Sequence, residues 1–131
     1  MLPYPSMKQE FRLARNMAFK STSRFRLGAV LTKKRTTIST GINRMWKTHP
    51  INKQFNPQPF DIGQHAEINA CLGVDPVDLV GAEVYVYRIL RNGSQALAKP
   101  CQMCKTYLKS VGIKNVYYTT ATGYGRLDLE G

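Results

Sequence analysis

The residues best suited to chemistry fall in two short runs, His65-Ala66-Glu67 and Pro100-Cys101-Gln102-Met103-Cys104. Cys101 and Cys104 stand three positions apart, so on a helix both thiolates leave the same face and can grip one ion at the first turn. His65, at the predicted start of another helix, offers an imidazole as third ligand. Thiolate and imidazole donors at this spacing suit zinc. Three protein ligands leave the fourth tetrahedral position open, the mark of a catalytic rather than a structural site. A dication with two thiolates and a neutral imidazole sums to zero charge. Such a centre should acidify its water less than an all-histidine site, so a nearby base becomes useful, and Glu67 is the candidate. Two helix N-termini meeting at the metal would also favour hydroxide and developing negative charge.

The competing reading is a structural zinc ribbon. A ribbon normally takes four ligands, usually from two C-x-x-C knuckles. The only other cysteine, Cys71, lies six residues after His65, on the opposite side of that helix, and reads as a core residue. The only other histidine, His49, falls in a proline-rich stretch that reads as surface loop. The ribbon therefore lacks its fourth ligand.

The elements that must position these residues are legible in outline. Residues 7–20 carry an amphipathic helix pattern, with Phe11, Ala14, Met17 and Ala18 on one arc and Lys8, Arg12 and Arg15 on an adjoining flank. Arg26 to Thr32 reads as a strand, Lys33-Lys34-Arg35 as a turn, and Thr36 to Gly41 as an antiparallel partner. Asn43 to Gln64 has no clear periodicity and holds three prolines, Trp46, Phe55 and Phe60. A loop of this length in a compact domain is uncommon and is usually functional or mobile. A helix is predicted from His65 to Leu72, then a Val- and Tyr-rich strand from Ala82 to Leu90, with a turn at Asn92-Gly93. Pro100 suits a helix start, the helix runs from Cys101 to Val111, and Gly112 is a natural C′ residue. Val116 to Thr120 is the fourth strand. A helix that joins two strands of one sheet implies that the third and fourth are parallel. At most, Gly125 to Leu129 adds a short last strand.

The pattern H-x-E … P-C-x-x-C resembles the cytidine deaminase superfamily. The likeness runs from about residue 7 to 120. It includes Leu27-Gly28-Ala29-Val30, Gly41-Ile42-Asn43, the two metal-site runs, and Gly112-Ile113 followed by a Val-Tyr strand. The resemblance implies one deaminase domain over residues 1–131: an α/β fold, three-layer α/β/α, with a mixed four- or five-stranded sheet. The helix at Cys101 followed directly by a strand resembles the branch of deoxycytidylate, tRNA adenosine and polynucleotide cytidine deaminases. By that analogy, Asn43 contacts the sugar or base, and the Ala66 backbone N–H the ring carbonyl. Asn43 also reads simply as a turn residue after a strand. Many members of the superfamily add a helix and a fifth strand after the fourth, where only residues 121–131 follow here. The implied partner for the surface left open is a second copy of the chain, a homo-oligomer, which could bring Arg91 or Arg126 to the pocket. The stretch from Asn43 to Gln64 lacks the extra cysteine-rich zinc site of some deoxycytidylate deaminases.

The implied activity is hydrolytic deamination of cytosine in a free nucleoside or nucleotide, with a dCMP-type substrate favoured and zinc as cofactor. Arg24, Arg26, Arg44 and Lys47 are candidates to hold a 5′-phosphate, although solvated roles serve each of them as well. The runner-up is deamination of a base within tRNA or single-stranded DNA. The net charge of +11 favours polyanionic partners, and Trp46 and Phe55 could stack on a base. A soluble basic surface accounts for the charge equally well. A non-catalytic zinc protein ranks last, because an inactive relative is expected to lose the glutamate and Glu67 is present. With 43% hydrophobic residues in 131, the chain can bury a core without disulfides. No signal-peptide pattern or membrane-length apolar run is seen, and three cysteines with one close pair do not suggest a secreted framework. A cytoplasmic setting is expected.

Overall fold

A computed structural model describes residues 8–21, 26–43 and 65–130. Within them the order is α1 (Lys8–Phe19), β1 (Arg26–Lys33), β2 (Thr36–Ile42), α2 (Ala66–Cys71), α3 (Pro76–Leu79), β3 (Glu83–Ile89), β4 (Gln95–Ala96), α4 (Gln102–Ser110), β5 (Asn115–Thr119) and β6 (Tyr124–Asp128). The strands form one sheet in the order β2-β1-β3-β5-β6, with β4 paired to β3. β3 and β5 are parallel, as the α4 crossover requires, and the other pairs are antiparallel. The six strands exceed the expected four or five because two-residue β4 pairs back on β3 after the turn at Asn92-Gly93. β6 is the short last strand, one residue earlier than expected.

Strand alternation splits the core between the two faces. Ala29, Leu31, Val84, Val86 and Val116 face α2 and α4. Val30, Tyr85, Tyr87, Ile89 and Tyr117 face α1 through Phe11, Ala14 and Ala18. This is the expected three-layer α/β/α arrangement. On the α1 side Phe11 meets Tyr85 edge-on at 5.3 Å, and Tyr85 stacks on Tyr117 at 4.9 Å. Each such pair adds about 0.5–1.5 kcal/mol beyond the area it buries.

Two glycines let helices sit close to the strands. A Cβ on Gly28 would lie 2.2 Å from Ala14 O of α1, and one on Gly41 would lie 2.5 Å from Ala66 O of α2. α1 is thereby pressed on one face and α2 on the other. At the far end of α4, Val111 is the C-cap and Gly112 takes φ 94, as expected of a C′ glycine. Pro100 lies just outside α4, since Cys101 is the N-cap. Among the described residues, no helix is long and apolar enough to cross a membrane.

Candidate active site

Two helix starts deliver the ligands. His65 is the N-cap of α2 (φ −75, ψ 145) and Cys101 the N-cap of α4 (φ −70, ψ 169). Neither side chain makes a capping hydrogen bond. An N-cap is usually Ser, Thr, Asp or Asn, and losing that bond costs about 1 kcal/mol. Both positions thus forgo local helix stability for a side chain that can bind a metal. The carboxyl ends of β2 and β3 and the start of α4 lie at one end of the sheet, where α/β folds gather their ligands. Asn69 Nδ2 ties α2 to that end by donating to Ile42 O at 3.1 Å.

His65, Cys101 and Cys104 form one group whose ligand atoms all lie within 4.8 Å of one another. Cys101 Sγ is 3.9 Å from His65 Nδ1. Zinc bonds of about 2.0–2.3 Å place tetrahedral ligands roughly 3.5–4 Å apart, so the donor set fits the ion in chemistry and in spacing. Cys104 is fully buried, Cys101 exposed and His65 half-buried. The hydrogen bond with Cys104 pulls the Cys101 thiol down to about 4, against the effect of burial and with help from His65. The same hydrogen bond, and then burial, pushes the Cys104 thiol up.

Glu67 is 3% exposed, within the first turn of α2. Burial pushes its carboxyl up, while His65, its own backbone N–H and Cys104 pull the other way. A buried carboxyl raised in this way beside the ligand group is suited to take and return a proton. Cys71 is 2% exposed and packs in the core under α2, as its spacing suggested. Burial, then the charge of Glu67, raises its thiol to about 12.

The remaining candidates fare differently. Ala66 is the first residue of α2, beside His65. Asn43 lies at the site end of the sheet, and its Oδ1 accepts from the Leu27 N–H at 2.9 Å and the Ser21 hydroxyl at 2.7 Å. It therefore has a scaffold role in addition to any contact with a ligand. Arg26 alternates with Gly28 and Val30, which face α1, so strand parity sets it on the face away from the metal group. That counts against it as a phosphate contact. Arg24, Arg44, Trp46, Lys47, His49 and Phe55 lie outside the described residues. The sequence reading missed Arg88. It alternates with Val84 and Val86 on the metal-site face, and its Nη1 donates to Leu97 O at 3.4 Å. The signal was the lone basic residue of β3, following the apolar and aromatic run from Val84 to Tyr87.

Residues 6–120 match the family described as the cytidine and deoxycytidylate deaminase zinc-binding region. The chain belongs to this deaminase family. Its fold is shared with the dCMP deaminase of cyanophage S-TIM5 in apo form (TM-score 0.59, 21% identity, 90% of this chain and 84% of that one). It is shared too with a cytidine deaminase from Burkholderia pseudomallei (TM-score 0.61, 17% identity, 92% and 91% coverage). The cyanophage enzyme has also been solved in complex with dCMP and dUMP (TM-score 0.58, 20% identity, 87% and 81% coverage). Comparison with curated proteins finds no sequence match. The deaminase is thus a zinc-dependent hydrolase, with His65, Cys101 and Cys104 placed to bind the metal.

Proposed function

We propose that this deaminase converts cytosine to uracil in a free pyrimidine nucleoside or nucleotide, with a dCMP-type substrate favoured. The observation that carries the reading is the buried Glu67 carboxyl beside the His65–Cys101–Cys104 group. Family membership supports cytosine as the base. The cyanophage complex with dCMP and dUMP supports the monophosphate, since that pair differs by one amino-to-oxo exchange at C4.

When bound, zinc supplies the Lewis acidity that makes water a nucleophile at neutral pH. The chain's own residues do the rest. Glu67 takes a proton from the water and delivers it to N3 as the C4–O bond forms. It carries the second proton to the exocyclic nitrogen, the C4–N4 bond breaks, and ammonia leaves. The Ala66 backbone N–H, at the start of α2, holds the ring carbonyl, and Asn43 orients the sugar or base. The ledge made by the Leu27 N–H, Ser21 and Asn43 fixes the Asn43 side chain before a ligand arrives.

A second reading, deamination of a base within tRNA or single-stranded DNA, is favoured by the net charge of +11. Ammonia release separates the two when the pure protein is offered cytidine, CMP, dCMP, dCTP, adenosine, single-stranded DNA and tRNA. dCMP is expected to turn over fastest, and adenosine at least about tenfold more slowly. Turnover of a cytosine in DNA or RNA far above every free nucleotide would put the second reading first.

A further inference from the structure

The parallel ladder between β3 and β5 runs from Glu83↔Asn115 to Val86↔Tyr118 and goes no further. Beyond it the Arg88 N–H donates to a side chain, the Thr119 Oγ1, at 3.2 Å. The Thr119 hydroxyl in turn donates to Ala96 O at 2.7 Å, and the Thr119 carbonyl accepts from the Ala98 N–H at 2.8 Å. The two strands therefore part at their carboxyl ends, and the segment from Gln95 to Ala98 is wedged between them. Gln95 locks the same segment from its other end. Its Nε2 donates to Thr120 O at 2.8 Å and Gly123 O at 2.7 Å, and its Oε1 accepts from the Tyr87 hydroxyl at 3.1 Å. Thr119 is 0% exposed, so its hydroxyl's bond to Ala96 O has no competition from water.

This wedge leads straight to the metal group. Ala96, Ala98 and Pro100 are buried in alternation with exposed Leu97 and Lys99, and Cys101 follows. Only Lys99 and Pro100 separate the last clamped residue from Cys101, and proline has a fixed φ. A short, stiff tether passes any shift at Ala96–Ala98 on to the Cys101 sulfur, where zinc tolerates a few tenths of an ångström. We propose that the Thr119 hydroxyl, bridging β3 to the Gln95–Ala98 wedge, is a positioning residue that sets the Cys101 sulfur for zinc. The proposal rests on the reading of Cys101 as a ligand.

The test measures zinc affinity by chelator competition, and the thiolate-to-cobalt charge-transfer band after cobalt substitution, in folded full-length variants. Thr119→Val keeps the shape and removes the hydroxyl, while Thr119→Ser keeps the hydroxyl. Thr119→Val is expected to lose about 10–100-fold in zinc affinity, the usual effect of removing support behind a ligand, and to alter the cobalt band. Thr119→Ser should stay within a few-fold of the parent. Gln95→Ala loosens the same wedge, so it should weaken zinc in the same direction even if Thr119→Val fails to fold. Phe11→Leu, on the α1 face, is the stability control and should lower the melting temperature without moving either metal readout. Parent-like zinc binding in Thr119→Val, or in Gln95→Ala where Thr119→Val does not fold, or equal loss in Phe11→Leu, overturns the proposal. Cys101→Ser runs in parallel: parent-like zinc binding there overturns the ligand reading itself, while loss there with parent-like Thr119→Val overturns only the role of Thr119.

Discussion

In the proposed mechanism the heaviest chemical demand falls on Glu67. It sits two positions from His65, buried, in hydrogen-bonding contact with Cys104. Replacing it by glutamine keeps the size and the hydrogen-bonding capacity, and removes the exchangeable carboxyl proton. Glu67→Gln is therefore expected to retain one zinc per chain by elemental analysis and to lose turnover by about 10²–10⁴-fold, the usual contribution of a positioned acid–base group. Full activity in that variant would remove the proton shuttle from the mechanism. The residue types and spacing made the ligand group His65, Cys101 and Cys104 legible, because zinc dictates them. Asn43 was less legible. A sequence shows that an asparagine follows a strand, but not that its Oδ1 is already taken by Leu27 and Ser21, partners 16 and 22 positions away.

Among the elements, all but the two shortest, α3 and β4, were readable. α1, α4 and the Val- and Tyr-rich strands announce themselves by periodicity. α3 has four residues and no period, although Asp75, whose side chain accepts from the Val77 N–H at 3.1 Å, and Pro76 were fair start signals. β4 has two residues, and what holds it in the sheet comes from Tyr87 and Thr119, which its own sequence does not show. Arg26 was placed by type rather than by alternation, and counting from Gly28 would have set it on the other face. The two close-packed glycines give a prediction at this scale. Gly28→Ala forces a methyl into α1, and Gly41→Ala forces one into α2, against backbone atoms in both cases. Each is expected to cost about 1–3 kcal/mol in denaturant unfolding. Only Gly41→Ala should also weaken zinc, because α2 carries His65. Equal zinc affinity in the two variants would show that α2 adjusts without moving its ligand.

For the whole molecule, the open question is what a second copy would bind. The apolar residues of α4 offer a neighbour little, since Met103, Tyr107 and Leu108 are 5%, 4% and 0% exposed within the chain itself. Among the described residues the sheet ends on two edge strands, β2 and β6. β6 places the charged Arg126 and Asp128 on its edge, a common guard against strand pairing. β2 is less protected, with Thr36, Thr37 and Ile38 exposed in succession. A homo-oligomer built on such an edge must bring together chains of net charge +11, whose repulsion acts over about 30 Å at 0.01 M salt and about 8 Å at 0.15 M. Self-association driven by backbone and apolar contacts should therefore strengthen as salt is added, the reverse of what binding to a polyanion shows. Sedimentation at micromolar protein is expected to give a species larger than 14.8 kDa, with a larger oligomeric fraction at 0.3 M than at 0.02 M salt. An opposite trend would point to attraction between unlike charges. A monomer at both salts with full activity would show that one chain builds the whole site, and that the wedge between β3 and β5 needs no partner to hold Cys101 in place.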